Sequence, residues 1–557
     1  MIEYNPPLAQ LLLAMRVAGN LSAEGDSRLS LEDAQAVLSE AGRFAADRIA
    51  PLNRIGDQKP AKLSNGLVTT PPGWSELYRD WCAAGWNSLS GPLAYGGQSL
   101  GMQMATACTE LWNSSSMAFA LCPLLTTGAI ETIAAHAADD LKQFYLPRMI
   151  AGEWSGTMNL TEPQSGSDLS QLRCKAKRSG DGSYIIAGSK IFITYGEHDF
   201  TSNIIHLVLA RLENAPQGTK GISLFLVPKY LPGGSPNDVE CHSLEHKLGI
   251  HGSPTCSMSY GNKNGGAKGW LIGEENRGLA CMFTMMNNAR LLVGVQGVAL
   301  AERATQAAFQ FAKMRKQGRL SHSAFEPSEI IHHPDIKRML LEMRAKTAAA
   351  RLLCMATASA IDERQEATAS LLTPLAKSFA TDIANEVASA AIQVHGGMGY
   401  IEETGIAQIY RDARILPIYE GTNGIQAIDL VTRKLTLDDG KCLSELLHGC
   451  KNDLASVVSP ALAADYVDEV RRQSEALTTS SNTQQALAAA TPFTRALASL
   501  VAAAYLAKAS RLARGSSSEE EAETNARLFA MGELPIALSG ANAAITNAAL
   551  VFNSSLA

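Results

Sequence analysis

The sequence predicts a mainly α-helical protein with a central antiparallel β domain. Stretches with apolar residues at helical spacing lie on both sides of a region in which short apolar segments alternate with turn residues. At 557 residues the chain is too long for one core, so two to four domains are expected. We expect an N-terminal helical domain (1–155), a β-sheet middle domain (156–275), a four-helix bundle (276–440) and a C-terminal helical extension (441–557).

The N-terminal domain begins with a clear helix start. Ser30 precedes two acidic residues and an apolar-periodic stretch, and Pro51 is expected to end that helix. Further helices are predicted at about 74–84, 102–112, 126–137 and 140–151.

The middle domain carries a hairpin pattern. Apolar and charged residues alternate from Cys174 to Lys177, the turn Gly180-Asp181-Gly182 follows, and Tyr184 begins the second strand. Further short strands are predicted at about 204–210, 221–227, 255–260 and 270–272.

The bundle is predicted from long Ala-, Leu- and Met-rich stretches with one apolar face each. They cover about 278–316, 336–361 and 371–395, and a fourth begins at 422–434. Beyond about residue 440 the chain continues in Ala-rich helices.

Composition excludes several classes of protein. A 46% hydrophobic and 18% charged composition is globular, and a formal net charge of −6 argues against nucleic acid as the main partner. No apolar run approaches the roughly 18 residues of a membrane span; the longest near the C-terminus, Ala496 to Ala507, is too short. The N-terminus has no cation before Arg16, unlike a secretory signal, and ten cysteines lie without a C-x-x-C pair. We therefore expect a cytoplasmic protein with free thiols.

Catalytic chemistry is predicted around Glu420. This carboxylate follows an apolar run and precedes Gly421, Thr422 and Gly424. Partial burial raises a carboxyl pKa toward a value useful for a general base, and glycines allow a ligand to approach closely. The alternative is that Glu420 only caps the helix that begins near Thr422.

A second loop, Thr161 to Asp168, offers hydroxyls and main-chain N–H groups where the sheet begins. Such loops hold phosphates or heteroaromatic rings, although a surface turn is the alternative. The chain has no G-x-G-x-x-G and no G-x-x-x-x-G-K motif, so a Rossmann or P-loop nucleotide site is unsupported.

These features together resemble the acyl-CoA dehydrogenase family of FAD enzymes over about residues 30–435. The motifs that carry the resemblance are Thr161-Glu162-Pro163 through Gly166-Ser167-Asp168, Lys190-Ile191-Phe192-Ile193-Thr194, Lys247-Leu248-Gly249-Ile250, Gln393-Val394-His395-Gly396-Gly397-Met398-Gly399-Tyr400 and Tyr419-Glu420-Gly421-Thr422. The segment from Gly273 to Leu279 and the extension look most like a long bacterial subgroup, which includes the 3-methylmercaptopropionyl-CoA and broad-range fatty acyl-CoA dehydrogenases. The resemblance implies a helical N-domain, a β-sheet middle domain and a four-helix bundle.

The resemblance also implies the reaction. Glu420 matches the base that takes the pro-R α-proton of an acyl thioester, while flavin N5 accepts the β-hydrogen as hydride to give a trans-2-enoyl-CoA. The N–H of Glu420 and a flavin hydroxyl would stabilise the thioester oxygen as negative charge develops on it. Gly421, Asn287, Arg290 and Ser167 match substrate contacts.

The implied FAD contacts fall in three groups: residues at the flavin ring, Ser167 near the pyrophosphate, and Gln393, Gly396 and Gly397 on the adenosine side. Thr161 and Thr194 match hydroxyls at the flavin ring, with Thr194 the partner of N5, and Phe192 stands where many members have a tryptophan. Arg315 matches an arginine that reaches a neighbouring subunit's FAD, which implies a homodimer with the cofactor site at the interface. The full set of implied cofactor-binding residues is Met158, Leu160, Thr161, Gly166, Ser167, Phe192, Ile193, Thr194, Arg315, Gln393, Gly396, Gly397, Thr422 and Asn423.

Alternatives remain open from the sequence. An acyl-CoA oxidase would share the first half-reaction and use O₂ in place of an electron-transfer flavoprotein, the electron acceptor that the resemblance implies. A DNA-associated flavoprotein of the alkylation-response branch should show a basic face, and the residues after 440 show no basic excess. A scaffold that has lost catalysis would not need Glu420. No metal site is expected, because the pairs His332-His333 and His246/His251 lack carboxylate or cysteine partners at ligand spacing.

Overall fold

The computed structural model describes residues 3–19, 30–263, 265–320 and 326–555. Seventeen α-helices, α1 to α17, are found in the described part of the chain: Leu8–Ala18, Leu31–Phe44, Ala50–Gln58, Trp74–Ala83, Met102–His136, Asp139–Ile150, Gly278–Met314, Pro334–Asp362, Glu366–His395, Ile406–Ala413, Asn423–Asp429, Lys441–Leu454, Pro460–Thr478, Thr483–Leu487, Ala490–Leu512, Glu519–Leu528 and Leu534–Asn553. The strands β1 to β10 are Lys62–Ser64, Leu67–Thr69, Trp154–Asn159, Lys175–Arg178, Tyr184–Thr194, Asn203–Leu212, Ile222–Pro228, Val239–Leu244, Thr255–Tyr260 and Ala267–Ile272.

Two compact units make up the chain. One consists of Met1–Ala46, Met102–Ser115 and Arg290–Ala557, and the other of Asp47–Gly101 and Ser116–Ala289. The boundaries predicted from the sequence divide the chain more finely, and they stay predictions.

The first unit contains the bundle and the extension. Helices α8 and α9 pack side by side along most of their length, and α10 and α11 lie against α9. The extension centres on α15, whose Ala-rich sequence is buried along nearly its whole length between α8, α9 and the other extension helices. Small side chains let these helices approach closely, so the extension shares one continuous core with the bundle.

The second unit contains an eight-stranded sheet in the order β10-β7-β6-β4-β5-β9-β8, with β3 paired to β6. The predicted hairpin is confirmed, because β4 and β5 pair antiparallel with Lys175 opposite Ala187. The sheet is not purely antiparallel, however. Strands β3 and β4 both run parallel to β6, because the chain crosses over between these partners instead of turning back directly.

Two helix boundaries differ from the sequence prediction. Ser30 caps α2 as expected, since its side chain accepts a hydrogen bond from the N–H of Asp33 at 3.0 Å. Pro51 does not end the helical stretch; it occupies the first turn of α3, where its missing N–H costs nothing. The two helices predicted at 102–112 and 126–137 are one element, α5, with non-helical backbone at Ser116.

The expectation about apolar runs also needs correction. Among the described residues, two helical stretches are long and apolar enough to cross a membrane when hydropathy is averaged over 18 residues: Met102–His136 and Glu519–Asn553. Of the most apolar window, 78% is buried within the protein in the first stretch and 28% in the second. The search for apolar runs in the sequence did not find these two stretches, because polar residues are interspersed in both. The first behaves as a core helix, and the absence of a membrane span stays a prediction.

Candidate active site

The loop that carries Glu420 joins α10 to α11 and holds an unfavourable backbone conformation. Glu420 has φ +55° and Gly421 has φ +84°. A non-glycine residue in this region costs on the order of 1–3 kcal/mol and persists only where its surroundings enforce it. At Gly421 a side chain would be strained by φ +84°, and its Cβ atom would lie 2.7 Å from Nε2 of Gln426, which would have to move.

Hydrogen bonds from three directions hold this loop. The N–H of Asn423 donates to the carbonyl of Pro417 at 3.0 Å, which closes the loop on itself. The ammonium of Lys377 donates to the carbonyl of Gly421 at 2.9 Å. The hydroxyl of Tyr419, just before Glu420, donates to Gln296 of α7. These bonds account for the strained conformation of Glu420.

Glu420 does not cap the following helix. Thr422 is the N-cap of α11, and its side chain accepts a hydrogen bond from the N–H of Ile425 at 3.2 Å. The Glu420 carboxylate is therefore available for another role.

The surroundings of the carboxylate suit a general base. Burial raises the pKa of Glu420 to about 7, while the charges of Arg290 and Lys377 partly offset the increase. Burial in turn lowers the pKa of Lys377 to about 7 and lowers the pKa of Arg290. A carboxylate whose pKa lies near neutrality accepts a proton far more readily than an ordinary surface glutamate.

The main chain of Glu420 offers a hydrogen-bond donor. Among the described residues, no acceptor lies within hydrogen-bond reach of its N–H. An unpaired donor beside a candidate base is the arrangement that stabilises negative charge on a carbonyl oxygen of a bound substrate.

The predicted substrate contacts lie as follows. Arg290 is half-buried on α7, and the position of a Cβ atom on Gly421 would be 4.0 Å from its Nη2 atom. Asn287 is exposed on the same helix, and Ser167 is exposed in the loop after β3. The structure therefore brings Arg290 and Gly421 together beside Glu420 in one unit, whereas Asn287 and Ser167 belong to the other unit.

The predicted flavin-ring contacts lie in the second unit, at the loop after β3 and on β5. Phe192 has φ +60° and is 58% exposed, at a register shift between Lys190 and Ile193. Thr194 is half-buried at the end of β5, and Thr161 is half-buried in the loop. Ile193 is buried, so only its main chain can face a ligand. The remaining residues of this group are Met158 and Leu160, which are half-buried, and Gly166, which is exposed.

A buried ion pair fixes this loop to β5. The ammonium of Lys190 lies 2.8 Å from the carboxylate of Glu162, and both side chains are almost completely buried. Lys190 also donates to the carbonyl of Leu160 at 3.0 Å, and Glu162 accepts from the N–H groups of Arg173 and Cys174. Burial raises the pKa of Glu162, but Lys190 and these N–H groups outweigh it and hold the pKa below its ordinary value.

The groups around this ion pair fit a flavin. The hydroxyls of Thr161 and Thr194 make no hydrogen bond to any described residue, and the N–H groups of Gly166 and Ser167 have no acceptor there either. An exposed aromatic face, two free hydroxyls and two free main-chain donors suit a heteroaromatic ring with a phosphate nearby.

The predicted adenosine contacts gather at one end of the bundle. Arg315 follows α7 directly, and Gln393 lies in the last turn of α9. The rings of Phe311 and His395 stack at 4.3 Å between centroids and hold these two helix ends together. Arg315, Gln393, Gly396 and Gly397 are all exposed.

Two of the predicted cofactor contacts near Glu420 have hydrogen-bond partners within the protein. Asn423 was expected to bind the cofactor, but its amide is buried and bonded to α9, and its N–H is bonded to Pro417. Thr422 keeps a free hydroxyl proton, because its oxygen serves as the helix cap.

Sequence reasoning missed Lys377 and gave no role to Lys190 or Glu162. The signal for Lys377 was present, because it is a single lysine in the apolar stretch from Leu371 to Ile383. A fully buried lysine needs specific partners, and such residues cluster at functional sites.

Among the described residues, no group of three or more His, Cys, Asp or Glu side chains is placed to hold a metal ion, and the absence of a metal site stays a prediction. His251 does have a carboxylate partner, Asp57, at 2.8 Å, which the sequence did not reveal.

Three family models match the chain. They are described as the N-terminal domain (residues 31–153), the middle domain (157–262) and the C-terminal domain (276–435) of acyl-CoA dehydrogenases. A 3-methylmercaptopropionyl-CoA dehydrogenase from Ruegeria pomeroyi is 51% identical over 448 residues, which is 77% of this chain and 76% of the relative.

Two further proteins are similar. A broad-specificity linear acyl-CoA dehydrogenase from Mycobacterium tuberculosis is 32% identical over 446 residues, 75% of this chain and 72% of the relative. The structure of Caenorhabditis elegans ACDH-11 in complex with C11-CoA covers 100% of this chain and 96% of its own chain, with a TM-score of 0.83 and 20% sequence identity. This is a likeness of fold, and it includes the extension.

These comparisons support dehydrogenation over the oxidase and DNA-associated alternatives. The mainly helical fold with its β domain is the one that the resemblance implied. The chain belongs to the acyl-CoA dehydrogenase family, and it is an FAD-dependent oxidoreductase that dehydrogenates acyl-CoA.

Proposed function

We propose that Glu420 is the base that removes the α-proton of the acyl-CoA substrate. The observation that carries this proposal is the half-buried carboxylate whose pKa is raised to about 7, held at φ +55° beside Arg290 and Lys377. In the proposed reaction the α-proton passes to the Glu420 carboxylate, the β-hydrogen leaves as hydride, and a trans-2-enoyl-CoA remains. FAD, when bound, supplies the hydride acceptor.

The main chain of Glu420 stabilises the reaction in this proposal. An α-C–H beside a thioester is a weak acid, so a carboxylate alone removes its proton slowly. The free N–H of Glu420 donates to the thioester oxygen as negative charge develops there, and its effect is greatest when water is excluded.

The residues of the second unit hold the cofactor in this proposal. The exposed Phe192 would stack on the flavin ring, Thr161 and Thr194 would donate to its polar edge, and the N–H groups of Gly166 and Ser167 would bind near the phosphates. Exposed Arg315, Gln393, Gly396 and Gly397 bind the adenosine side of a partner subunit's FAD, so the active form is a homodimer.

The proposed substrate is a short acyl-CoA that contains a thioether, of the 3-methylmercaptopropionyl type. The 51% identity to an enzyme of that name supports this choice. Broad linear acyl specificity is the second candidate, supported by the 32% identical relative.

The proposed setting is the cytoplasm, with electron-transfer flavoprotein as electron acceptor and a β-oxidation type of step. All ten cysteines are free, which suits a reducing compartment.

An anaerobic titration of the purified holoenzyme tests substrate and reaction together. A panel from short thioether-containing to long saturated acyl-CoAs is added, and loss of visible flavin absorbance is followed. We expect the short thioether substrate to give the highest rate constant divided by Kd. A maximum with long saturated chains contradicts the substrate assignment, and no bleaching with any member contradicts the reaction.

A further inference from the structure

Lys377 is a buried cation that the reaction as described does not use. It lies near the middle of α9 with 0% of its surface exposed. Its ammonium donates to the carbonyl of Gly421 and to Oδ1 of Asn423, both at 2.9 Å. One of these acceptors belongs to the residue that follows Glu420, so Lys377 holds the loop directly.

Asn423 connects Lys377 to a carboxylate. Its Oδ1 accepts from Lys377, and its Nδ2 donates to Oδ1 of Asp382 at 2.8 Å and to Oγ1 of Thr381 at 3.0 Å. Lys377 can only donate and an ionised Asp382 can only accept, so an amide is the group that bridges them. An aspartate at position 423 would instead face Asp382 with a like charge.

The extension contacts the same face of α9. Arg495 of α15 lies 3.0 Å from the carboxylate of Glu386, one turn beyond Asp382, and it also pairs with Glu533. Its charge acts favourably on Asp382. The guanidinium lies 4.9 Å from the ring centre of Phe379, which fixes its orientation.

Lys346 of α8 also pairs with Glu386 and Glu533, but Asp382 is not among the main contributors to its pKa. It lies 2.6 Å from Glu386 and 3.0 Å from Glu533. The largest charge effects on its pKa come from those two carboxylates. Lys346 therefore provides a control within the same network.

We propose that Lys377, Asn423 and Asp382 form a positioning relay, anchored by Arg495 of the extension, that holds the Glu420 loop in its strained conformation. The proposal rests on the proposed function in one respect, that Glu420 is the base. The three members are positioning residues, because they act on Glu420 through hydrogen bonds and charge and touch no reacting atom.

The relay has a pH signature. The charged groups that act on Glu420 are Arg290 and Lys377, and those that act on Lys377 are Glu420, Asp382 and Arg290. Arg495, Glu386 and Lys377 act on Asp382. Because the charge of Lys377 lowers the pKa of Glu420, its removal must raise that pKa and move the acid limb of the rate profile to higher pH.

The test measures the pH dependence of kcat/KM, KM and FAD content for the full-length holoenzyme. For Lys377→Met we expect kcat at neutral pH to fall about tenfold or more, KM to change by less than about threefold, and the acid limb to move up by about half a pH unit or more. For Arg495→Met we expect a smaller change in the same direction. The matched control, Lys346→Met, should leave the acid limb unchanged.

If Lys377→Met does not fold, Asp382→Asn tests the relay in its place. This variant keeps an acceptor for the Asn423 amide and removes only the charge. It should also move the acid limb upward, since Asp382 raises the pKa of Lys377 and keeps it charged. An unmoved acid limb in folded, FAD-bound Lys377→Met or Asp382→Asn overturns the relay. A shift in Lys346→Met equal to that in Arg495→Met overturns the role of the extension.

Failure of the proposed function looks different. If Glu420→Gln reduces its flavin as fast as wild type, the assignment of Glu420 as the base is contradicted, whatever the relay variants show. If Glu420→Gln loses flavin reduction as expected but the relay variants keep the wild-type acid limb, only the relay proposal is contradicted.

Discussion

Glu420 combines three properties that rarely occur in one residue: a left-handed backbone, a raised carboxyl pKa and an unpaired N–H. Each follows from its neighbours. The loop bonds enforce the backbone, burial raises the pKa above its ordinary 4.5, and the turn directs the N–H away from internal acceptors. The strained turn thus places the proposed acid–base group and the proposed oxyanion donor on the same residue.

Gly421→Ala should disturb both groups at once. An alanine would be strained at φ +84°, and its Cβ atom would lie 2.7 Å from the Gln426 amide, so the loop or the Gln426 side chain must move. We expect kcat to fall about tenfold or more with FAD content retained. Gly424→Ala is the control, since its nearest atom lies 3.7 Å away and no positive φ is required. Equal losses in the two variants contradict the role of the loop.

The raised pKa of Glu420 also predicts a stability effect. With a folded pKa of about 7 and an ordinary value of 4.5, the folded state binds this proton more tightly than the unfolded state. The contribution of this carboxyl to the free energy of unfolding therefore falls as pH rises between these values and stays low above them. Glu420→Gln should raise the unfolding temperature relative to wild type at about pH 8.5 and leave it unchanged at about pH 4. A difference that is independent of pH contradicts the pKa assignment.

Among the secondary-structure elements, the loop after β3 depends on a charge pair with β5. Lys190 and Glu162 are buried together, and each has additional hydrogen bonds. Removal of one partner leaves an uncompensated buried charge. The proposed flavin contacts on either side of this pair therefore depend on Lys190 and Glu162, which are not among the proposed contacts.

Lys190→Met should lower the free energy of unfolding by about 3–5 kcal/mol and reduce bound FAD. Lys268→Met removes an exposed ion pair with Asp181 in the same sheet, and it should cost less than about 1 kcal/mol. Denaturant unfolding and the FAD-to-protein ratio measure both effects. Similar costs for the two variants contradict the anchoring role.

The sequence predicted these elements unevenly. Helical spacing located α7, α8 and α9 to within a few residues because their packing repeats along the chain. The parallel pairing of β3 with β6 depends on strands that are distant in sequence, and no local pattern encodes it. The partners of the Asn423 side chain were not predicted for the same reason, because they lie on α9, about 40 residues earlier in the chain.

For the chain as a whole, the residues implied for the adenosine side of FAD lie exposed at one end of the bundle. Arg315 and Gln393 are held there by the stacked rings of Phe311 and His395. Exposed residues of this kind fit an interface between two copies, in which a two-fold axis places each set against the other subunit.

Subunit complementation tests this assembly. Glu420→Gln chains lack the base, and Arg315→Ala chains cannot complete the partner's FAD site, so each homodimer should be inactive. Refolded or co-expressed mixtures should recover about a quarter of wild-type activity, because half of the dimers are mixed and each carries one intact site. No recovery despite mixed dimers contradicts a cofactor site shared between subunits.

The most direct measurement is the visible spectrum of FAD-bound Glu420→Gln during anaerobic titration with the best acyl-CoA substrate. We predict that the variant binds FAD and acyl-CoA like wild type and that its flavin absorbance persists, while wild-type flavin bleaches. Bleaching of the variant at the wild-type rate would contradict the assignment of Glu420 as the base.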